Sequence, residues 1–547
     1  MSRVTNPILP GFHPDPSIIR VGDDYYIATS TFEWWPGVRL HHSHDLINWT
    51  PAGHAVTRRA QLDMRGNPPS GGVWAPALSH ADGLFWLVYS DVKAFNGPSK
   101  DVRNFLITAP AITGPWSDPV PLNGSGFDPS LFHDDDGRKW FLNQIWDPRP
   151  DRNQFAGIAL QEYCPRTRRL LGSPENIFRG SALGVTEGPH LYKQDGFYYL
   201  ITAEGGTGES HAVTVARSRS LAGPYELCPD NPLLSSAGRP DVLLQKAGHG
   251  SLVRTADDSW YLAHLCSRPV GPRRRCILGR ETALQAVAWP QGGWPRLAQG
   301  GCVPAASVEI SGPAARPYLD EFHDDFSGAA PGPHWSFLRE PPDASWLTLG
   351  GRPGALRLRG RHTLVSLFDQ SLAGFRLLHP RCRVRVRLDF TPTSFQQSAG
   401  LSFYYNHTNF HHLLMTGRDG GGRELRLLCG DNGAYTNPAG PGVRVPDAGA
   451  VELRAELEGE SLRFFFVPES GAAQPVGPVL DATVLSDDRV MEGEAWGFTG
   501  CFVTLSAHDS ADSGISAAFT DFRYEGLSLS TATDASSPAV TQVVASP

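Results

Sequence analysis

Three acidic side chains and one histidine stand in short segments of similar pattern along the N-terminal half of the chain. The segments are His13-Pro14-Asp15-Pro16-Ser17, Phe127-Asp128-Pro129-Ser130, Thr186-Glu187-Gly188-Pro189-His190 and Gly248-His249-Gly250-Ser251. Two separated carboxylates, one acting as an acid and one as a base, are what hydrolysis of a glycosidic bond requires. An Asp before Pro is by itself more typical of a turn. The repeated pattern, rather than any single residue, therefore indicates a shared site.

A repeat of about sixty residues positions these segments. An aromatic-rich strand follows each of these segments after about a dozen residues. A fifth segment, which contains Trp74 and Ala75, is followed by such a strand as well. When the five strands are aligned on one aromatic position, that position is residue 26, 86, 141, 199 and 261. A unit of this length with several short strands is typical of a propeller blade. The sequence thus predicts an all-β fold that begins with a five-bladed β-propeller over residues 1–305. Since equivalent positions of the innermost strands converge on the axis, the three carboxylates and His249 are expected to face one funnel.

The remaining sequence has a different pattern. Glycine, proline and alanine become frequent around residues 306–320, which is typical of a linker. Strict alternation of polar and apolar residues at 381–388, and much of it at 452–457, then predicts strands of a β-sandwich over 321–530. The Ser-, Thr-, Ala- and Val-rich tail at 531–547 is predicted to be disordered, with a crossing strand as the alternative.

Composition narrows the functional classes. A net charge of −8 argues against a dedicated nucleic-acid binder, and no apolar run approaches the roughly 18 residues that a membrane span needs. The eight cysteines form no CxxC pair, which favours reduced thiols over disulfides or a zinc site. Together with an N-terminus that lacks the apolar core of a signal peptide, this predicts a cytoplasmic protein.

The motifs together resemble those of the family 43 glycoside hydrolases, and in particular their two-domain β-xylosidases, over nearly the whole chain. The segments that carry the resemblance are residues 10–17, 72–76, 126–132, 186–190 and 279–282. The resemblance implies that Asp15 is the general base that activates water and that Glu187 is the general acid. It implies that Asp128 orients Glu187 and raises its pKa. Arg280 would bind hydroxyls of the terminal sugar, and His249 would line the floor of the site.

Further positions match the family's pocket more loosely. Five of them are expected to contact the substrate: Phe32, Trp74, Ala75, Trp146 and Thr207. Phe32 and Trp74 are equally consistent with hydrophobic core. In the second domain, the segment Gly500-Cys501-Phe502-Val503 is predicted to reach toward the pocket, with Phe502 as its contact residue.

The resemblance implies an exo-acting, inverting hydrolase that releases xylose from the non-reducing end of β-1,4-xylo-oligosaccharides, with α-L-arabinofuranosidase as a second activity. An arabinan-degrading glycosidase, a retaining fructan hydrolase and a non-catalytic sugar-binding propeller stay open as alternatives. We expect a homo-oligomer whose partner is a small xylo-oligosaccharide. No cofactor is expected, although a divalent cation such as calcium at the propeller axis stays open. The histidines of residues 41–44 are interpreted as part of a strand and turn rather than as metal ligands.

Overall fold

The computed structural model describes residues 2–350, 354–468 and 471–527. Almost every regular element in these ranges is a β-strand; the exceptions are a 3₁₀ turn at Ala482–Leu485 and a short α-helix at Asp487–Met491. No helix in the described ranges is long and apolar enough to cross a membrane. The predicted disordered tail, 531–547, lies outside the described residues.

The N-terminal part forms five antiparallel sheets, so the predicted five-bladed propeller is confirmed. Each sheet is built from strands that follow one another along the chain, except that blade 1 skips Trp34–Trp35. The innermost strands of neighbouring blades contact each other, and that of blade 5 contacts blade 1 and closes the ring. The strands, blade by blade, are Ser17–Val21, Asp24–Thr29, Gly37–Ser43 and Thr50–Val56; Gly72–Ala81, Leu84–Ala94, Asp101–Ala109 and Val120–Pro121; Ser130–His133, Lys139–Trp146, Phe155–Cys164 and Arg169–Phe178; Glu187–Gln194, Phe197–Glu204, Ala212–Ser218, Glu226–Leu227 and Leu234–Ser235; and Gln245–Arg254, Trp260–Ser267, Glu281–Ala288 and Arg296–Leu297.

One backbone position is left-handed in all five blades, just before or within the first half of the innermost strand. The residues and their φ angles are Asp15 (54°), Ala75 (30°), Asp128 (53°), Gly188 (56°) and His249 (45°). Four of these five are not glycine, although a side chain in this region is strained. In blade 4 a glycine takes the shared position, so Glu187 reaches the funnel from one residue earlier than the other acids.

The C-terminal part is a sandwich of two nine-stranded sheets, which confirms the predicted β-sandwich. Its core alternation is clearest in Arg381–Asp389, where Val384 and Val386 are fully buried and the arginines between and beside them are exposed or half-buried. The first sheet contains Glu321–Asp324, Leu347–Thr348, Leu356–Arg359, Arg381–Asp389, Val451–Glu458, Ser461–Val467, Gln474–Pro475, Leu480–Asp481 and Ser516–Gly526. The second contains Trp34–Trp35, Trp335–Leu338, Ser371–Arg376, Gln397–Asn406, Asn409–Gly417, Arg423–Asp431, Ala434–Thr436, Val443–Val445 and Phe502–Asp509.

The two domains share structure that the sequence pattern did not indicate. Trp34–Trp35, which belongs to blade 1 in sequence, pairs with Trp335–Leu338 as the edge strand of the second sandwich sheet. The segment predicted as a linker begins with a strand, Ser307–Ile310, which pairs with Ser2–Thr5 at the N-terminus. The sandwich is therefore joined to the propeller by backbone pairing as well as by side-chain packing.

Candidate active site

Side chains from all five blades line one cavity of about 450 Å³. This volume falls in the usual range of small-molecule sites, about 300–1,000 Å³. Nine of the eleven residues nominated from the sequence line it: Asp15, Phe32, Trp74, Asp128, Trp146, Glu187, Thr207, His249 and Arg280. The convergence follows from the propeller, because equivalent positions of successive blades are brought around one axis.

Asp15 lies on the cavity wall with both carboxylate oxygens engaged. Its Oδ2 accepts a hydrogen bond from Ser30 Oγ at 2.6 Å, and its Oδ1 accepts one from Arg280 Nη1 at 3.1 Å. His249 Nδ1 lies 3.8 Å from the same Oδ1. Burial by itself would raise the pKa of Asp15, but the charge of Arg280, the charge of His249 and the Ser30 hydrogen bond outweigh it and lower that pKa. The Asp15 carboxyl is therefore ionised at neutral pH.

Arg280 connects the carboxylate to both domains. Besides Asp15, its Nη1 donates to Thr207 Oγ1 at 3.1 Å, and its Nε donates to the backbone carbonyl of Phe498 at 2.9 Å. The guanidinium lies over the rings of Phe32 and Phe498, at 5.1 and 5.3 Å from their centroids. The side chain is only 5% exposed, so its position is fixed before any ligand binds.

Glu187 and Asp128 face the cavity from adjacent blades and titrate as a pair. Burial, followed by the negative charge of Asp15, raises the pKa of Glu187. Burial and the charges of Glu187 and Asp15 likewise raise the pKa of Asp128. Asp128 Oδ2 accepts a hydrogen bond from the backbone N–H of Gly188 at 3.2 Å, and such a bond favours its ionised form. This pair can therefore retain a proton near neutral pH while Asp15 is ionised.

Aromatic side chains form much of the remaining wall. Phe32 and Trp74 are nearly fully buried, and Trp146 is partly exposed toward the cavity. The Trp74 Nε1 donates to the Ser70 carbonyl at 2.8 Å and the Trp146 Nε1 donates to the Pro98 carbonyl at 2.7 Å, which fixes both rings. Their flat, apolar faces suit the C–H faces of a sugar ring.

Two residues nominated from the sequence do not line the cavity. Ala75 acts through its backbone: its N–H donates to Ser30 Oγ at 2.8 Å, and Ser30 in turn donates to Asp15. Phe502 is fully buried and stacks on Trp34, with the ring centroids 3.7 Å apart. The prediction for Phe502 is therefore corrected, because this side chain closes the packing between the domains. Trp34, at 0% exposure, is buried in the same stack.

The sandwich does reach the cavity, but through a segment just before the predicted one. Met491, Trp496 and Phe498 line it, and the Trp496 Nε1 donates to the Asn96 side-chain oxygen of blade 2 at 3.1 Å. Phe498 lines the cavity, whereas Phe502, four residues later, lies in the core. No sequence pattern distinguishes the two phenylalanines.

Sequence reasoning also missed two basic groups at the cavity. Lys100 lies 4.0 Å above the Trp146 ring, and burial lowers its pKa to about 8 although the charge of Glu187 opposes the shift. His211 lines the cavity near Arg280, and burial together with the charge of His249 lowers its pKa to about 3. Neither residue lies in a repeated motif, so no signal in one sequence marks them.

Metal-ligating side chains come together elsewhere. Among the described residues, Asp24, His42 and His44 are the one group of three or more His, Cys, Asp or Glu side chains near enough to share an ion. Both imidazoles already contact Asp24 Oδ1, at 2.7 and 2.6 Å. The cation left open at the propeller axis stays a prediction.

Comparison with known proteins agrees with this architecture. Residues 4–295 match the model of the glycosyl hydrolases family 43, and residues 323–525 match the beta xylosidase C-terminal concanavalin A-like domain. A xylosidase/arabinosidase 43B of Humicola insolens is 46% identical, covering 96% of this chain and 98% of its own. A beta-xylosidase of Bacillus subtilis is 44% identical, covering 96% and 99%.

A solved structure gives the same result in three dimensions. The crystal structure of a xylan beta-1,4-xylosidase from Bacillus halodurans superposes with a TM-score of 0.92 at 48% identity, covering 95% of this chain and all of that one. Both domains and their order along the chain are thus common to the two proteins. The chain belongs to glycoside hydrolase family 43.

Proposed function

We propose that the protein is an exo-acting, inverting β-xylosidase that releases xylose from the non-reducing end of β-1,4-xylo-oligosaccharides. The observation that carries the proposal is the pairing, in one cavity, of an ionised Asp15 with a Glu187 whose pKa is raised. The two carboxyls come from different blades and make no hydrogen bond to each other within the described residues. A protonated acid and an ionised base in one cavity are what hydrolysis of a glycosidic bond requires, and the inverting outcome is supported by membership of glycoside hydrolase family 43.

In the proposed reaction, Asp15 accepts a proton from a water molecule that attacks the anomeric carbon. Glu187 donates its proton to the glycosidic oxygen as the bond to the leaving sugar breaks. Asp128, whose Oδ2 accepts a hydrogen bond from the Gly188 N–H next to Glu187, is a positioning residue. Its pKa and that of Glu187 are both raised, so the two carboxyls hold a proton between them. Arg280, fixed between Asp15, Thr207 and the Phe498 carbonyl, presents its remaining N–H groups to the hydroxyls of the bound sugar.

Exo action is supported by the way the sandwich closes the site. Phe498 and Trp496 cover one side of the cavity, and the Trp496–Asn96 hydrogen bond spans the two domains there. A polysaccharide chain lying through the site would have to displace this contact, whereas a chain end can enter from the open side. The small cavity therefore suits a terminal sugar and its immediate neighbour.

A second activity, on terminal α-L-arabinofuranosyl groups, is supported by the name of the Humicola relative, which covers both sugars. Xylose and arabinofuranose present similar hydroxyl arrangements to one pocket, so the same Arg280 and carboxylates can serve both. We also expect a homo-oligomer in the cytoplasm, as the sequence predicts.

The test has two parts: the rates of hydrolysis of two aryl glycosides, and the anomer of xylose that is released first. We expect hydrolysis of aryl β-xyloside and, at a lower rate, of aryl α-L-arabinofuranoside, with both rates lost in Asp15→Asn. Proton NMR of xylobiose hydrolysis should show α-xylose first, since inversion changes the β linkage to the α anomer. β-Xylose as the first product would overturn the inverting assignment, and the absence of both hydrolytic activities would favour a binding module.

A further inference from the structure

A group of positively charged and imidazole side chains is buried where the propeller meets the sandwich. We call it the basic cluster and define it by six residues: His13, Arg39, His41 and His54 from the propeller, and His334 and Arg376 from the sandwich. Arg39 and Arg376 are only 2% and 4% exposed, and His13 and His41 are at most 1% exposed. The cluster lies outside the set of residues that line the active-site cavity.

The two guanidinium groups have only uncharged partners. Arg39 Nη1 donates to the Pro333 carbonyl at 2.9 Å. Arg376 donates through Nε to the Phe12 carbonyl at 3.0 Å and through Nη1 to Ser336 Oγ at 3.0 Å. Within the described parts of the chain, neither arginine forms an ion pair with a carboxylate; each is instead close enough to repel the other. Arginine stays protonated in proteins, so two positive charges are buried together.

The imidazoles around them cannot supply the missing negative charge. Burial and the charges of both arginines lower the pKa of His41, His54 and His334, the last to about 4. Burial, His41 and the same arginines lower the pKa of His13. All four histidines are therefore neutral at physiological pH, and the net charge of the cluster is that of its arginines.

Several polar atoms of the cluster also lack a partner. Arg39 Nε, His13 Nε2, His41 Nδ1 and His54 Nε2 are buried without a hydrogen bond within the described residues. His41 Nε2 lies 2.9 Å from Tyr318 Oη, so when the phenol donates there, the His41 proton sits on the unpartnered Nδ1. Arg39 and His54 are directly opposed on neighbouring strands. His13 Nδ1 donates to the Pro10 carbonyl, so its Nε2 is an acceptor, whereas Arg39 Nε is a donor. Unpartnered polar atoms next to uncompensated positive charge are an arrangement that native interiors avoid.

Two other buried arginines of the molecule have a carboxylate nearby, and a third, Arg423, donates to three backbone carbonyls. Arg280 lies 3.1 Å from Asp15, and Arg339, also in the domain contact, is accompanied by the buried carboxyl of Glu33, which opposes the fall in its pKa. Removing the counter-charge from a buried ion is strongly destabilising. Because no described carboxylate pairs with Arg39 or Arg376, a counter-charge for the basic cluster would have to come from a bound ion.

We propose that the basic cluster binds a small monovalent inorganic anion, such as chloride, between Arg39 of the propeller and Arg376 of the sandwich. N–H donors of Arg39, His41 and His54 complete its surroundings. We propose a single-atom anion rather than a tetrahedral oxyanion because the side chains of the cluster are closely packed, with the His13 and His41 rings in edge contact at 4.9 Å between centroids.

The site connects to the catalytic segment. Arg376 holds the Phe12 carbonyl, and the Phe12 ring lies 5.9 Å from Phe32, which lines the active-site cavity. His13 of the cluster is two residues before Asp15 in the chain. The anion therefore stabilises the contact between the domains and, through it, the segment that carries Asp15.

The test measures the thermal stability of the full-length protein in sodium chloride and in sodium gluconate at one ionic strength, so that general screening is constant. We expect Tm to rise by about 1–2 °C for each tenfold increase in chloride above its Kd. Arg39→Gln and Arg376→Gln should lose this dependence. Arg339→Gln is the matched control, because it removes a buried arginine of the same domain contact that has its own carboxylate; it should lower Tm but keep the chloride dependence.

A second measurement does not depend on variants that fold. Crystals of the unaltered protein grown in sodium bromide should show an anomalous peak between Arg39 and Arg376. A Tm that is equal in chloride and gluconate, or bromide peaks found only elsewhere, would overturn the proposal and leave water as the content of the cluster. Sulfate that replaces chloride with equal effect would overturn the preference for a single-atom anion.

Discussion

Two buried charged regions lie on either side of the segment that leads to Asp15, and they have opposite sign. In the funnel, three carboxylates converge, with Arg280 and Lys100 as the nearby cations. In the basic cluster, two arginines and four neutral histidines converge, with no carboxylate among the described residues close enough to pair. The funnel opens to a cavity, so its excess of negative charge can keep a carboxyl protonated for catalysis. The basic cluster is buried, so in our proposal its excess of positive charge is neutralised by a bound anion.

The two regions are expected to affect different properties of the enzyme, its turnover rate and its thermal stability. Charges in the funnel act on substrate, and changing them should alter turnover more than Tm. Charges in the cluster hold the domains together, and changing them should alter Tm more than turnover. The following variants test that separation, from the largest expected effect to the smallest.

Asp15→Asn should have the largest effect on rate. It removes the group that takes a proton from water, which every substrate needs, so kcat/KM should fall by about 10³–10⁴-fold on xylobiose and on dinitrophenyl β-xyloside alike. Initial rates on both substrates measure this, with Asp23→Asn on the exposed turn of blade 1 as the control. A loss confined to the substrate with the poorer leaving group would assign Asp15 the role of the acid instead.

Glu187→Gln should have an effect that depends on the leaving group. Xylose leaves as a strongly basic alkoxide and needs a proton, so xylobiose hydrolysis should fall by about 10²–10⁴-fold. Dinitrophenolate leaves without protonation, so that substrate should retain a much larger share of its rate.

The pH profile sharpens the same assignment. The raised pKa of Glu187 means that its acid form is lost as pH rises, which gives the alkaline limb of kcat/KM. The lowered pKa of Asp15 means that its base form is lost only well into acid, which gives the acidic limb. The alkaline limb should vanish in Glu187→Gln with the activated substrate; an unchanged limb would show that another group produces it.

Arg280→Ala should have an intermediate effect with a diagnostic pH shift. Loss of a charge-assisted hydrogen bond to the sugar should reduce kcat/KM by about 10–100-fold. Because the charge of Arg280 helps lower the pKa of Asp15, its removal should also move the acidic limb to higher pH. Thr207→Val, which removes only one partner of Arg280, is the control and should show a smaller loss without the shift.

Arg39→Gln should have the smallest effect on rate. Activity on aryl β-xyloside well below Tm should stay within about twofold, while Tm falls in chloride buffer, because the change lies in the domain contact. Thermal unfolding and initial rates on the same preparation measure both quantities. A large loss of rate at unchanged Tm would mean that the cluster acts on the active site directly.

Several parts of this molecule could be inferred from the residues. The aromatic strands that recur about every sixty residues predicted the propeller. The similar positions of Asp15, Asp128, Glu187 and His249 within that repeat predicted that they share a cavity. Both inferences succeed because a propeller repeats one local structure around an axis, so that equal sequence phase becomes equal radial position. The alternation in Arg381–Asp389 predicted the sandwich for a similarly local reason.

Other features exist only because two domains dock. Phe498 rather than Phe502 lines the cavity, Trp34–Trp35 joins a sheet formed mainly by residues some three hundred positions later, and Arg39 meets Arg376. Contacts of this kind depend on the relative position of two separately patterned halves, which no period in either half encodes. The sequence by itself thus determined the two folds and the three carboxylates. Only the tertiary structure decided how the cavity is closed and where unpaired positive charge is buried.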